Sequence, residues 1–359
     1  MPTPAPTSTA DLDVLLSEPR SETVRALAAC PGDIIVLGAG GKMGPTLARM
    51  AARAGADADA MASAGLGTSE TSNTPAARRR VIAVSRFSSR DAERSLNEAG
   101  VETIRCDLLD RDAVAALPDA PNVVFMAGQK FGTADAPERT WAMNVGVPEL
   151  IAARYPTSRI VAFSTGNVYP LVPVASGGAK ETDPVGPVGT YAESCLARER
   201  IFETAALRGA RVAIVRLNYA IALSYGVLTD LASKIFAGTP LSLAMGYVNV
   251  IWQGDANRVA LELLPHASSP ARAMNVTGAA TLSVRELATQ LGARLGREAV
   301  FEGTESSDAL LSDASLMCSL LAPPAVSVGT MLDWTADWVR NRRPTLGKAT
   351  KFDVRDGQF

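Results

Sequence analysis

The hydrophobic positions of this chain form short, uninterrupted runs that alternate with segments of helical periodicity between residues 31 and 221. Such runs, rich in Val, Ile and Leu and without polar alternation, are typical of strands buried on both faces. They predict strands at 33–37, 81–85, 102–106, 122–126, 159–163 and 211–217. The segments between them predict helices at 45–54, 91–99, 145–154 and 191–207. This alternation indicates an α/β fold, a doubly wound parallel sheet.

The remaining segments predict what surrounds the sheet. Residues 1–30 predict an N-terminal helical extension with a disordered start, and the low-complexity residues 55–79 predict a flexible insertion. After residue 221 the pattern loosens, with helices predicted at 228–237 and 281–295. We therefore expect a smaller C-terminal lobe at 222–342, with segments that return to the sheet, and a polar C-terminal tail at 343–359.

Charge and histidine content exclude several classes of function. The chain has 35 Lys and Arg residues against 37 Asp and Glu residues, a formal net charge of −2. This balance gives no electrostatic reason to expect nucleic acid or an anionic membrane as partner. The single histidine, His266, excludes a metal centre built on several imidazoles, and we expect no metal.

The cysteines and the first residues bear on the compartment. The four cysteines form no Cys-x-x-Cys pair, which favours a reducing compartment over a disulfide scaffold. The first ten residues lack the basic and apolar parts of a secretory signal. No uncharged apolar run reaches the ~18 residues that a membrane helix needs. We expect a cytoplasmic protein with a small-molecule substrate, and a homodimer is compatible with the sequence.

Glycines follow the first predicted strand and precede a predicted helix. A strand that ends in glycines and opens a helix suits a pyrophosphate, because the backbone can approach the ligand and the helix N-terminus presents N–H groups. This context predicts that residues 31–221 form a dinucleotide-binding domain of the Rossmann type. The loop residues expected to bind the cofactor are Gly38, Gly40, Gly41, Lys42, Met43 and Gly44.

Further segments follow the glycine loop in a fixed order. They are Cys106-Asp107-Leu108, Ala127-Gly128-Gln129-Lys130, Asn144, Ser164-Thr165-Gly166-Asn167-Val168-Tyr169, Glu181-Thr182-Asp183-Pro184 and Tyr191. Together with the Gly-x-x-Gly-x-x-Gly spacing they resemble the extended short-chain dehydrogenase/reductases, the NAD-dependent epimerase/dehydratases of nucleotide sugars. The resemblance spans roughly residues 32–340.

The resemblance implies roles for these residues. Tyr191 matches the family's catalytic base and Thr165 its catalytic Ser/Thr, with Ser164 beside it. Asn144 falls where the family has a structural asparagine, and Lys130 where a lysine lies against the cofactor. The cofactor contacts that the resemblance implies are Lys130, Asn144 and Tyr191, together with Asp107, which receives the adenine amino group, Leu108, Ala127 and Gly128.

The end of the second predicted strand bears on the choice of cofactor. An acidic residue at this point binds the ribose hydroxyls of NAD, whereas a nearby arginine accommodates the 2′-phosphate of NADP. Ser85 and Arg86 stand here, with no carboxylate, and both are expected to contact the cofactor. Because arginine pairs well with phosphate, the sequence favours NADP(H) over NAD(H).

The chain departs from the family at the position four residues after Tyr191. The family has a lysine there, which binds the nicotinamide ribose and whose charge lowers the pKa of the tyrosine from its usual ~10. Here Cys195 occupies the position, still within reach of the cofactor. Three explanations remain open. Another cation (Lys130, Arg216 or Lys180) acts instead, Tyr191 serves only as a hydrogen-bond donor, or the protein binds dinucleotide without catalysis.

The segment after Thr165 narrows the reaction. Related dehydratases carry Asp and Glu where this chain has Gly166 and Asn167, so dehydration is not expected. Oxidoreduction or epimerisation of a carbohydrate-like alcohol by hydride transfer remains. No cluster of arginines marks a nucleotide diphosphate, which favours a sugar or sugar acid as substrate. The residues expected to contact it are Lys130, Asn167, Asn218, Tyr219, Trp252 and Gln253. The alternative is a catalytically silent NAD(P)-binding sensor or scaffold.

Overall fold

Seven parallel strands form the central sheet of the protein. The computed structural model describes residues 4–65, 78–130, 132 and 136–358. In chain order the strands are β1 (Ile34–Leu37), β2 (Val81–Ser85), β3 (Glu102–Arg105), β4 (Asn122–Phe125), β5 (Arg159–Thr165), β6 (Arg211–Leu217) and β7 (Arg272–Val276). Their spatial order is β7-β6-β5-β4-β1-β2-β3, and all neighbours run parallel. The predicted doubly wound sheet is confirmed.

Helices cover both faces of this sheet. In chain order they are α1 (Thr9–Leu16), α2 (Ser21–Ala28), α3 (Gly44–Gly65), α4 (Arg90–Glu98), α5 (Arg111–Ala115), α6 (Pro137–Trp141), α7 (Val147–Arg154), α8 (Gly189–Leu207), α9 (Val227–Ala237), α10 (Gln253–Glu262), α11 (Val284–Leu295), α12 (Ser315–Leu320) and α13 (Val328–Arg340). Helices α2, α3 and α10 pack on one face, and α7 and α8 on the other. Both faces of the strands are therefore buried, which explains their unbroken apolar runs.

A second apolar core holds the C-terminal lobe together. Side chains of α1, α9, α11 and α13 meet in it. Four pairs of two-residue strands brace this lobe, namely Ala220–Ile221 with Ile251–Trp252, Leu241–Ser242 with Phe301–Glu302, Tyr247–Val248 with Leu282–Ser283, and Val172–Pro173 with Asp308–Ala309. Strand β7 leaves the lobe and joins the edge of the main sheet beside β6.

Two segments differ from the sequence-based prediction. Helix α3 does not end at Ala54 but continues to Gly65, into the predicted flexible insertion, because this stretch is rich in alanine and buries Ala58. Residues 66–77 of that insertion lie outside the described residues. The predicted polar tail folds back onto the protein, where Thr350 and Phe352 are 4% and 5% exposed.

Candidate active site

The glycine loop connects β1 to α3 at the carboxyl edge of the sheet, between β2 and β4. Gly38 has φ +89°, and a Cβ there would lie 2.6 Å from the backbone nitrogen of Ala127. A Cβ on Gly44 would lie 2.5 Å from the carbonyl oxygen of Ala39. These two glycines are required by the close packing of the loop.

The middle of the loop has room for a ligand. A Cβ on Gly41 would meet no protein atom closer than 3.4 Å, so packing does not require glycine there. Within the described part of the chain, the backbone N–H groups of Lys42 and Met43 have no acceptor. They lie just before the N-terminus of α3, where N–H groups and the helix dipole favour an anion. The loop therefore fits the diphosphate of a dinucleotide.

Thr165 and Tyr191 meet at the end of β5 and the start of α8. The two side chains line the same cavity, and Thr165 lies close enough to the Tyr191 phenol to lower its pKa. Burial raises the pKa of Tyr191 far above its usual value and Cys195 adds to the rise, while Thr165 and Arg198 oppose it. Without ligand, Tyr191 is therefore protonated at neutral pH.

Of the three cations considered from the sequence, the structure places Lys130 at Tyr191. The Lys130 Nζ lies 5.9 Å from the centroid of the Tyr191 ring and 3.5 Å from the carbonyl oxygen of Thr350. Burial lowers the pKa of Lys130 to about 8, against the opposing effects of Cys195 and Asp230. Lys130 thus comes close to both Tyr191 and the Cys195 thiol.

The other two cations have different surroundings. Arg216 forms a buried ion pair with Glu199, at 2.7 Å between Nη2 and Oε2. Lys180 is exposed at the surface. The Ser164 hydroxyl, which borders the cleft, donates to the same Glu199 carboxylate. This hydrogen bond helps to hold β5 beside β6.

A buried asparagine fixes the backbone that carries Lys130. Asn144 lies in the π-helical turn Ala142–Gly146 and is fully buried. Its Oδ1 accepts from the Gln129 N–H at 2.8 Å, and its Nδ2 donates to the Gln129 carbonyl at 3.0 Å. Arg198 Nη2 donates to the same Oδ1 at 2.7 Å. Asn144 therefore supports the loop and has no need to touch a ligand.

These groups surround one cavity of about 290 Å³ beside the glycine loop. Its wall includes Lys130, Thr165, Asn167, Tyr191, Asn218 and Tyr219, which the sequence placed at the site. A larger cavity of about 930 Å³ lies at the opposite edge of the sheet, against α5 and α7, and contains none of the predicted site residues. The smaller cavity is the candidate active site.

Lys42 reaches across the mouth of this cavity. Its Nζ donates to the Ala220 carbonyl at 3.0 Å and lies 4.1 Å from the centroid of the Tyr225 ring. Burial lowers the pKa of Lys42 to about 7, and repulsion by Lys130 adds to the decrease. Two lysine side chains on one cavity wall suit an anionic ligand, which favours the charged form of Lys42.

The residues predicted to bind the adenosine half lie at the ends of β2, β3 and β4. Ser85 Oγ would lie 2.3 Å from a Cβ on Gly40. The absence of a side chain at Gly40 therefore lets the glycine loop contact the end of β2. Arg86 and Asp107 are exposed. Leu108 is buried, and Gly128 packs against Arg198, whose Nη2 would lie 2.6 Å from an added Cβ.

Two residues predicted to contact substrate lie elsewhere. Trp252 is 2% exposed and packs edge-on against Trp334, with ring centroids 5.3 Å apart, in the second core. Gln253 is buried behind the glycine loop, where its Nε2 donates to Thr46 Oγ1 at 3.2 Å. The Trp252 side chain thus has an aromatic partner in α13 and does not line the candidate active site.

Other residues at the site were not anticipated. Arg198 lies two helical turns after Tyr191 on α8, and its charge lowers the pKa of Tyr191. Asp230 and Thr350 join the site through contacts between distant segments, for which the sequence carries no local signal. Tyr225 lies in the loosely patterned region after residue 221 and gave none either.

Comparison with known proteins identifies the family of the chain. The family model of the NAD dependent epimerase/dehydratase family matches residues 34–243, more than half of the chain. The chain therefore belongs to this family. Among the curated proteins no match was found.

Solved structures share the fold. MoeE5 in complex with UDP-glucose and NAD is similar with a TM-score of 0.67 and 19% identity, over 87% of this chain and 99% of that one. UDP-glucose 4-epimerase from Thermotoga maritima gives 0.64 and 17%, over 86% and 99% of the chains. WbmG from Bordetella bronchiseptica in complex with NAD gives 0.69 and 17%, over 89% and 97%. At these identities the likeness concerns the fold.

The described residues contain neither a candidate membrane-spanning helix nor a candidate metal site. No helix among them has the length and apolar character to span a membrane. No three His, Cys, Asp or Glu side chains in the same part of the chain are grouped to hold a metal ion.

Proposed function

We propose that the protein oxidises, reduces or epimerises a hydroxyl or keto group of a carbohydrate-like substrate by NAD(P)-dependent hydride transfer. The observation that carries this proposal is the contact of Thr165 with Tyr191, with the Lys130 ammonium beside the same ring, in one cavity with the glycine loop. Residues 31–221 would bind the dinucleotide, and residues 222–342 would supply the other side of the substrate site.

Bound NAD(P) would supply the hydride acceptor or donor. The loop from Gly38 to Gly44 would hold its diphosphate, and Asp107 and Leu108 would lie along the adenine. We propose NADP(H) over NAD(H), because the exposed Arg86 can pair with a 2′-phosphate and no carboxylate follows β2. Titration of the protein with NADP⁺ and NAD⁺ in a calorimeter tests this preference, and tighter binding of NAD⁺ would contradict it.

Within the cavity, Thr165 and Tyr191 would hold the reacting oxygen of the substrate between their hydroxyl groups. A proton would pass between the Tyr191 Oη and this oxygen as the carbon gains or loses hydride. Whenever Tyr191 has given up its proton, the Lys130 ammonium offsets the charge of the tyrosinate. Lys130 would thus supply the positive charge that the lysine supplies in the family. It would do so from the loop after β4 and not from α8.

The substrate would be small and polyhydroxylated, a sugar or sugar acid. The cavity of about 290 Å³ offers the Asn167 and Asn218 amides and the Tyr219 phenol for hydroxyl groups. Lys42 and Lys130 on its wall suit the carboxylate of a sugar acid. MoeE5 was solved with UDP-glucose, so nucleotide sugars belong in the comparison.

A panel of sugars, sugar acids and nucleotide sugars tests the proposal. The loaded protein is followed at the absorbance of reduced nicotinamide, and products are separated by chromatography to detect epimers that leave no net redox change. The specific rival is a silent dinucleotide-binding protein, which the raised pKa of Tyr191 and the thiol at position 195 favour. Tight cofactor binding with no turnover across the panel would support the rival.

A further inference from the structure

The C-terminal residues 344–358, here called the strap, run across the open side of the cleft. The strap follows α13, where Trp338 Nε1 donates to the carbonyl of Pro344 at 3.0 Å. Its Leu346 N–H donates to the carbonyl of Ser224 at 2.9 Å. At its far end Arg355 pairs with Asp308 at 2.6 Å. The strap is therefore tied down at both ends.

The middle of the strap is tied to the cleft. Asp230 on α9 accepts from the Thr350 N–H at 2.7 Å and from the Thr350 hydroxyl at 2.6 Å through one oxygen. The Thr350 carbonyl accepts from Lys130 Nζ, and the Phe352 carbonyl accepts from the Tyr219 hydroxyl at 3.3 Å. Two residues of the candidate active site thus hold the strap by its backbone.

The strap also closes the space in front of the glycine loop. A cavity of about 680 Å³ has Gly40 and Gly41 on one side and Leu346 and Lys348 on the other. Lys42 and Lys130 border both this cavity and the candidate active site. A ligand that extends from the loop to Tyr191 would therefore lie beneath the strap.

From these contacts we propose that the strap forms the outer wall of the dinucleotide site and must be displaced for a nicotinamide dinucleotide to enter or leave. The inference rests on the proposed function, since it needs a dinucleotide in the cleft. The strap lies outside the residues that the family model matches, 34–243. A binding role of the strap would therefore belong to a segment outside the region that the family model matches.

Dissociation of NADPH and NADH, followed by their fluorescence after displacement with excess oxidised cofactor, tests the proposal. Asp230→Ala removes the carboxylate that accepts from both the N–H and the hydroxyl of Thr350, so dissociation should become about tenfold faster or more. Asp333→Ala removes an exposed carboxylate on α13 that pairs with Arg294, away from the strap, and should leave the rate within about twofold. Thr350→Val removes one anchor and should give an intermediate rate.

Association is measured in the same proteins. A loosened wall speeds association as well as dissociation, whereas a distorted site slows association and loses affinity. Faster exchange in both directions for Asp230→Ala supports the proposal. Equal dissociation rates in the wild type and Asp230→Ala, with the dinucleotide bound in both, would overturn the strap's role and leave the proposed function standing. Absence of dinucleotide binding in every protein would overturn both.

Discussion

The two walls of the cleft are built in different ways. The inner wall consists of the glycine loop, Thr165 and Tyr191, all at the ends of sheet strands or helices. The outer wall is the strap, whose anchors join residues 120 and 220 positions apart, Asp230 and Lys130 with Thr350. Regular structure makes the inner wall rigid, whereas a few hydrogen bonds hold the outer one. We therefore expect changes to the inner wall to affect turnover and the free energy of unfolding. Changes to the outer wall, and to the lysines beside it, should affect the protonation of the site and the exchange of dinucleotide.

The largest effect is expected at the inner wall. Tyr191→Phe removes the group that exchanges a proton with the substrate, so turnover should fall by about 10²- to 10⁴-fold while dinucleotide affinity remains. Steady-state kinetics and calorimetry measure the two quantities. Tyr247→Phe, the same change in the C-terminal lobe outside the cleft, is the control and should retain full turnover. Equal activity of the two variants would remove Tyr191 from the reaction.

Within the glycine loop, two matched substitutions separate packing from binding. Gly38→Ala places a methyl group 2.6 Å from the Ala127 nitrogen at a φ of +89°, and should lower the free energy of unfolding by roughly 2–5 kcal/mol. Gly41→Ala has room and should change stability by less than about 0.5 kcal/mol, but weaken dinucleotide binding. Urea unfolding and calorimetry measure both. Equal stability of the two variants would contradict the distinction.

A smaller effect is expected for Lys130, which links the two walls. Lys130→Met should lower turnover about tenfold, because the tyrosinate loses its neighbouring cation. Burial lowers the pKa of Lys130 to about 8, so the ammonium is present below about pH 8 and lost above it. In the wild type kcat/KM should therefore decline above about pH 8, and Lys130→Met should lack this decline. Lys180→Met, which changes an exposed lysine, should keep both rate and pH profile.

The smallest effect concerns the proton balance at Lys42. Burial lowers the pKa of Lys42 to about 7, so this amine is largely neutral at pH 8. A bound diphosphate favours the charged form, and binding at pH 8 should take up on the order of one proton. Calorimetry in buffers of different ionisation enthalpy measures the uptake. It should decrease in Lys42→Met and persist in Lys180→Met, and an unchanged uptake in Lys42→Met would contradict the assignment.

The strands that carry the inner wall could be predicted from the sequence because their signals are local. The strands predicted at 81–85 and 211–217 coincide with β2 and β6, since buried parallel strands need unbroken apolar runs. The order of motifs placed Thr165 and Tyr191 in one cleft for the same reason. Each lies next to an element that the sheet positions.

The outer wall was missed because its partners are distant in sequence. Residues 343–359 are polar on average, yet Phe352 is buried against the second core and Thr350 against Asp230. The prediction that Trp252 contacts the substrate missed its burial for the same reason. Trp252 packs against Trp334 in α13, a contact that no local pattern shows. The spacing of residues along the sequence could not decide which of the three cations lies near Tyr191. Lys130 lies in the loop after β4, whereas Tyr191 lies on α8.

Cys195 limits where this site can hold a cation. It is 1% exposed in a small cluster with Val168, Tyr169 and Ala179. A lysine at position 195 would have to displace these neighbours and bury a second positive charge near Lys130, which disfavours the substitution. Positions 130 and 195 are therefore coupled, and a lysine at 195 becomes tolerable only when Lys130 is replaced. The site has room for one cation at one point in space, whichever position of the chain supplies it.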